Sequence, residues 1–185
     1  LLRSIDSQTK FELHAKCSKW YKKSSQTPGY TIELIFHLLS SDNMAEAASL
    51  IVEDGRTLIS QGHMELLGLI DSITLEDVPQ EMLANILQFK GEILSLLGRF
   101  EEAKTAFGSA QEQAVKVKNH SIQAEALSAL ADISLKQGSL DESLTMHKEA
   151  LEIFIKQKDA VGAARSYNNM GYLLRRKNDN SKAIE

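Results

Sequence analysis

The feature that most restricts this chain is a self-similarity at a fixed interval of 40 residues. Leu-Gly-Arg-Phe-Glu-Glu-Ala at 97–103, Gln-Gly-Ser-Leu-Asp-Glu-Ser at 137–143 and Asn-Asp-Asn-Ser-Lys-Ala at 178–183 align without gaps, so that Gly98, Gly138 and Asn178 fall at equivalent places. These residue types tolerate the positive φ of a tight turn between two helices. Apolar residues recur at helical spacing on both sides of each turn. Leu87, Gly91, Leu94 and Leu97 precede Gly98, and Phe100, Ala103, Phe107 and Ala110 follow it. Around Gly138 the series is Leu127, Leu130, Ala131 and Leu135, then Leu140, Leu144 and Ala150; around Asn178 it is Tyr167, Met170, Gly171 and Leu174, then Ala183. Each unit therefore predicts two amphipathic helices whose apolar residues are core. Gly91, Ala131 and Gly171 are the small residues a close helix crossing needs, with Phe100 and Leu140 beside them.

Composition agrees with a helical, folded chain. Of 185 residues, 43% are hydrophobic and 25% charged, enough to build a core. Two prolines and 6% aromatic residues leave long stretches free to be helix and disfavour a strand-rich fold. A net charge of -4 gives no reason to expect nucleic acid or an acidic membrane as a direct partner. No apolar run approaches the roughly 20 residues of a membrane span, and no signal-peptide pattern opens the chain. A lone Cys17 fits a reducing cytoplasm. The start at Leu1 and the stop at Glu185 inside a helical pattern predict that both ends are cuts in a larger protein.

Residues 1–80 keep the helical period but lose the 40-residue repeat, predicting degenerate hairpins. The periodicity predicts helices over about Ser4–Lys23, Thr31–Ser40, Met44–Ser60 with an interruption at Gly55, and Met64–Ile73, followed by a connector to Pro79. Residues 22–29, Lys-Lys-Ser-Ser-Gln-Thr-Pro-Gly, predict a linker or turn.

Residues 81–185 resemble the tetratricopeptide repeat, with units at 84–118, 124–158 and a shortened 164–185. The residues carrying the resemblance are the small residue before each turn, the turn glycine, the large apolar residue after it and the later alanines; the 40-residue period is longer than that family's usual one. The resemblance implies an all-α right-handed superhelix of antiparallel hairpins, an α-solenoid whose concave face binds ligands. Its groove-facing positions, carried onto this chain, are Asn85, Gln88, Glu92 and Ser95; Glu125, Ser128, Asp132 and Leu135; and Arg165, Asn168, Tyr172 and Arg175, with Asn169 and Arg176 at the border. Such side chains suit an extended protein or peptide segment, or a small polar inducer. Acidic residues early and arginines late would suit a ligand of both signs. The plainer reading, solvated polar residues, stands beside it.

The order Leu13-His14-Ala15-Lys16, Trp20-Tyr21, residues 33–39 (Glu-Leu-Ile-Phe-His-Leu-Leu) and residues 42–48 (Asp-Asn-Met-Ala-Glu-Ala-Ala) is similar to the helical arm of signal-transducing ATPases of the STAND class, the regulators resembling the maltose-regulon activator. That likeness implies an arm and first sensor repeats of an ATP-dependent signalling or transcriptional regulator, in contact with neighbouring domains of its own chain. The alternative is a stand-alone adaptor that collects peptide segments.

Chemistry is sparse. No phosphate-binding loop or nucleophile elbow occurs, so neither ATP hydrolysis nor another enzymatic activity is expected. His14, His37, His63, His120 and His147 are scattered singly, so no metal or other cofactor is expected. His147 stands where the preceding repeat has Phe107, which predicts a partly packed ring or, alternatively, a ligand-facing or pH-sensitive one. Cys17 is expected to be a small buried residue.

Overall fold

The computed structural model describes residues 5–23 and 28–177, which contain nine α-helices and no strand. They are α1 Ser7–Tyr21, α2 Pro28–Leu39, α3 Met44–Ser60, α4 Leu66–Asp71, α5 Gln80–Leu96, α6 Phe100–Lys116, α7 His120–Lys136, α8 Leu140–Gln157 and α9 Ala160–Arg176. The chain forms two compact units, Leu1–Phe89 and Lys90–Glu185, divided within α5.

In the second unit each helix packs on the next, α6 on α7, α7 on α8 and α8 on α9. The turns are built alike. Gly98 and Gly138 have φ of 76° and 87°, the positive values their sequence position predicts. The N–H of the residue after each turn glycine reaches back to a carbonyl in the last turn of the preceding helix, Arg99 to Leu94 and Ser139 to Ser134, both at 2.9 Å. The same bond closes the connections between hairpins, Asn119 to Ala114 at 2.8 Å and Asp159 to Phe154 at 2.9 Å. There the left-handed residues are Lys118 and Lys158. These bonds satisfy carbonyls that a helix end leaves open. Asn119 and Asp159 then cap the next helices, accepting from Ile122 N–H and from Val161 and Gly162 N–H.

Large rings seated on small residues lock the helices together. A Cβ on Gly91 would lie 2.6 Å from Cδ1 and Cε1 of Phe107, so α5 and α6 meet at a distance only glycine allows. Phe154 of α8 sits in the same way on Gly162 of α9. Ala103, Ala110, Ala124, Ala131 and Ala150 are fully buried and keep the remaining crossings short.

Several expectations are corrected. Leu97 is exposed, because α5 ends at Leu96 and leaves it in the turn. Tyr167 is exposed where its equivalents Leu87 and Leu127 are buried; no helix follows α9 among the described residues to cover it. The third turn at Asn178 and the apolar Ala183 lie outside the described residues.

The first unit has α1 packed on α2, and α2 on α3 and α4. Pro28, expected in a turn, begins α2, where its fixed φ suits the first helical position. Gly55 does not interrupt α3; it is buried, and a Cβ there would lie 2.7 Å from the ring of Phe89. The connector before α5 contains one 3-10 turn, Leu75–Asp77.

Two of the histidines expected to stand alone meet. His14 Nδ1 lies 2.7 Å from His37 Nδ1, with the ring of Tyr21 stacked on His37 and that of Phe36 edge-on to His14. Only one of two facing nitrogens can carry a proton. Burial, then the neighbouring His14, push the pKa of His37 below its usual 6.5, against an opposing pull from Glu33. The neutral ring is thus the folded form. Its contribution to stability is complete above about pH 6.5 and is lost as pH falls through the lowered value. The thermal midpoint of the α1–α2 hairpin should therefore fall between about pH 7.5 and about pH 5, and fall less in His37→Gln. Equal pH dependence in wild type and His37→Gln would refute this assignment.

Candidate ligand-binding face

The expected face can be built helix by helix. In α7 the buried residues Ala124, Leu127 and Ala131 leave Glu125 and Asp132 half-buried on another stripe of the helix. In α9 the buried Gly162, Ser166 and Leu173 leave Arg165, Asn168, Tyr172 and Arg175 exposed and Asn169 half-buried. Asn85 and Glu92 of α5 are half-buried as well. Two expected residues do not reach solvent. Gln88 is 2% exposed and Ser128 6%, because both lie on the buried side of their helices, where neighbouring side chains cover them.

The structure joins α7 and α9 directly, since Asn169 Nδ2 donates to Asp132 Oδ1 at 3.1 Å. His147 of α8 completes the contact from below. Its ring is fully buried, with Nε2 3.3 Å from Asp132 Oδ1 and 3.5 Å from Asn169 Nδ2. Both halves of the expectation for His147 need amending: the ring is wholly packed, yet its polar edge supports two residues of the face. Spacing could not reveal this cluster, because its members lie 15 and 22 residues apart on three helices.

Charge on this surface is divided. Arg165, Arg175 and Arg176 are exposed, and among the described residues none has an acidic group within ion-pair distance. Lys177, by contrast, pairs with Asp141 at the start of α8 and is drawn away from the α9 face. An unpaired guanidinium keeps five directed donors available and favours carboxylate partners.

Other places in the described residues offer less. No group of three His, Cys, Asp or Glu is placed to hold a metal. No helix is long and apolar enough to cross a membrane. Cys17 is half-buried rather than enclosed. A depression of about 410 Å³ lined by Gln111, Glu112, Val115 and Lys116 belongs to one helix, α6, and is open to solvent.

Comparison with known proteins agrees with the helical-repeat fold. The tetratricopeptide repeat family model matches residues 82–156 and, in an overlapping register, 122–185, more than half of the chain. No curated protein matches at a significant level. Among solved structures, the crystal structure of BtubC (BKLC) from P. vanneervenii is similar over 97% of this chain and 70% of that one, with a TM-score of 0.56. At 17% identity the likeness is one of fold.

Proposed function

Because the chain belongs to the tetratricopeptide repeat family, whose stacked hairpins act as non-catalytic binding scaffolds, we propose that it holds an extended polypeptide segment across the side chains presented by α7 and α9. The observation that carries this reading is the set of unpaired donors on α9. Arg165, Asn168, Tyr172 and Arg175 recur on one helical face with no ion partner among the described residues. Asn168 can bond a main-chain amide by both donor and acceptor, and the arginines favour acidic side chains of the segment. A small polar inducer would use the same groups.

The reading extends to context. The order of residues in the first unit supports an arm and first sensor repeats of a larger ATP-dependent signalling or transcriptional regulator, in a reducing cytoplasm. Binding would then bias the regulator between two states, provided that the ligand prefers one of them. A stand-alone adaptor is the rival. A phosphate-binding loop in the same gene product, with ATP turnover that changes when peptide binds, supports the regulator; a gene product without that loop makes the adaptor the answer.

Binding itself is tested by thermal unfolding of this chain against a panel of acidic and mixed-charge peptides. A ligand at about 100 times its Kd stabilises by about 2.7 kcal/mol. We expect at least one such peptide, with affinity lowered about tenfold in Asn168→Ala and in Arg175→Ala, roughly one hydrogen bond to a charged or amide group each. Binding that survives both substitutions would place the ligand elsewhere.

A further inference from the structure

The cluster of Asp132, His147 and Asn169 contains a fully buried imidazole that scaffold binding alone does not use. The carboxylate of Asp132 decides its tautomer. A bare Nε2 lone pair 3.3 Å from a carboxylate oxygen is repelled, so the proton belongs on Nε2, and Nδ1 is left buried without a partner. An orphaned buried nitrogen is destabilising. A phenylalanine, the residue at the equivalent position 107, would avoid that cost. The supporting residue differs too, since Gly91 beneath Phe107 corresponds to Ala131 in the next repeat.

The cluster directs one oxygen of Asp132 inward. Oδ1 faces Asn169 Nδ2 and His147 Nε2, while the side chain remains 49% exposed, which leaves part of the carboxylate open to a ligand. Tyr172 occupies on α9 the place that Asp132 occupies on α7, one helical turn beyond Asn169, and its ring is 45% exposed. A carboxylate bonded to Asn169 and an exposed aromatic ring one helical turn from it are the groups that suit a cation. We propose that Asp132 and Tyr172 form a subsite for a lysine or arginine side chain of the bound segment, and that His147 is the residue that positions the carboxylate. The inference rests on α7 and α9 being the peptide-binding face. It adds that the bound segment carries both charges, its acidic part over Arg165 and Arg175 and its basic residue at Asp132.

The test uses the full chain and two labelled peptides, one with an acidic half followed by a lysine-bearing half, and the same peptide with its lysines acetylated. The free-lysine peptide should bind about tenfold more tightly, as one charge-assisted bond requires. That preference should vanish in Asp132→Asn. It should survive in His147→Gln, which retains an N–H donor. It should weaken in the double variant Ala131→Gly, His147→Phe, which installs the glycine–phenylalanine pair of the preceding repeat and so keeps a packed crossing. A preference that persists in Asp132→Asn overturns the subsite. A preference undiminished in the double variant overturns the positioning role of His147. Equal binding of both peptides, weakened in Asn168→Ala, overturns the subsite and leaves peptide binding standing; no binding of either peptide overturns the subsite and goes against the broader proposal as well.

Discussion

Truncating Phe107 to alanine should lower the unfolding free energy by about 3–5 kcal/mol, the cost of removing a large buried aromatic side chain. Phe107 is 2% exposed and occupies the space that Gly91 leaves open. The opposite error, Gly91→Ala, should cost about 1–3 kcal/mol, because the ring can neither shrink nor leave a filled core. The two effects are not independent. In a Phe107→Ala background the methyl group of Gly91→Ala enters vacated space and should be harmless or stabilising, giving a coupling energy of about 1–3 kcal/mol in a double-mutant cycle. Urea unfolding followed by circular dichroism reads all four corners. Additive effects would mean that the ring and the glycine do not share one space.

This pair also explains which parts of the fold could be read from sequence. The 40-residue interval is visible because the features it repeats, a turn glycine, a small residue at the crossing and a large apolar residue opposite, are local choices imposed by backbone geometry. Gly98 and Gly138 accordingly adopt positive φ, and the family match covers the repeats located from the same residues. In the first unit single residues were ambiguous. Gly55 can break a helix or let one approach, and only the ring of Phe89 across from it decides. Pro28 can end a turn or start a helix, and the residues after it decide.

The candidate face was legible as a set of equivalent positions but not as chemistry. Equivalent positions in the repeat identified Asp132, Asn168 and Tyr172 as candidates, yet they could not show that neighbouring helices cover Gln88 and Ser128. Nor could they show that Asn169 spans to Asp132 or that His147 approaches both. His14 and His37 make the same point in the first unit, since 23 residues separate two nitrogens that face each other at 2.7 Å. Spacing within one helix predicts a face; contacts between helices depend on depth and crossing angle, which no single periodicity encodes.

The second large effect links packing to binding. Gly162 lies in the first turn of α9, buried against the ring of Phe154, so a side chain there meets the ring itself rather than a flexible end. Gly162→Leu should therefore cost about 1–3 kcal/mol or more, as overpacking of a filled site does. Because α9 packs on α8 and follows every other described helix, local release of α9 relieves the clash more cheaply than global unfolding does. We expect hydrogen exchange to accelerate along Ala160–Arg176 while α7 and α8 remain protected. Peptide affinity should fall with it, because Arg165, Asn168, Tyr172 and Arg175 all ride on that helix. Phe154→Ala in the same chain should restore part of the protection by making room for the leucine, although alone it costs about 3–5 kcal/mol. If exchange instead accelerated evenly over α7, α8 and α9, the unit would unfold as one body. The binding face could not then be loosened without loss of the repeats that carry it.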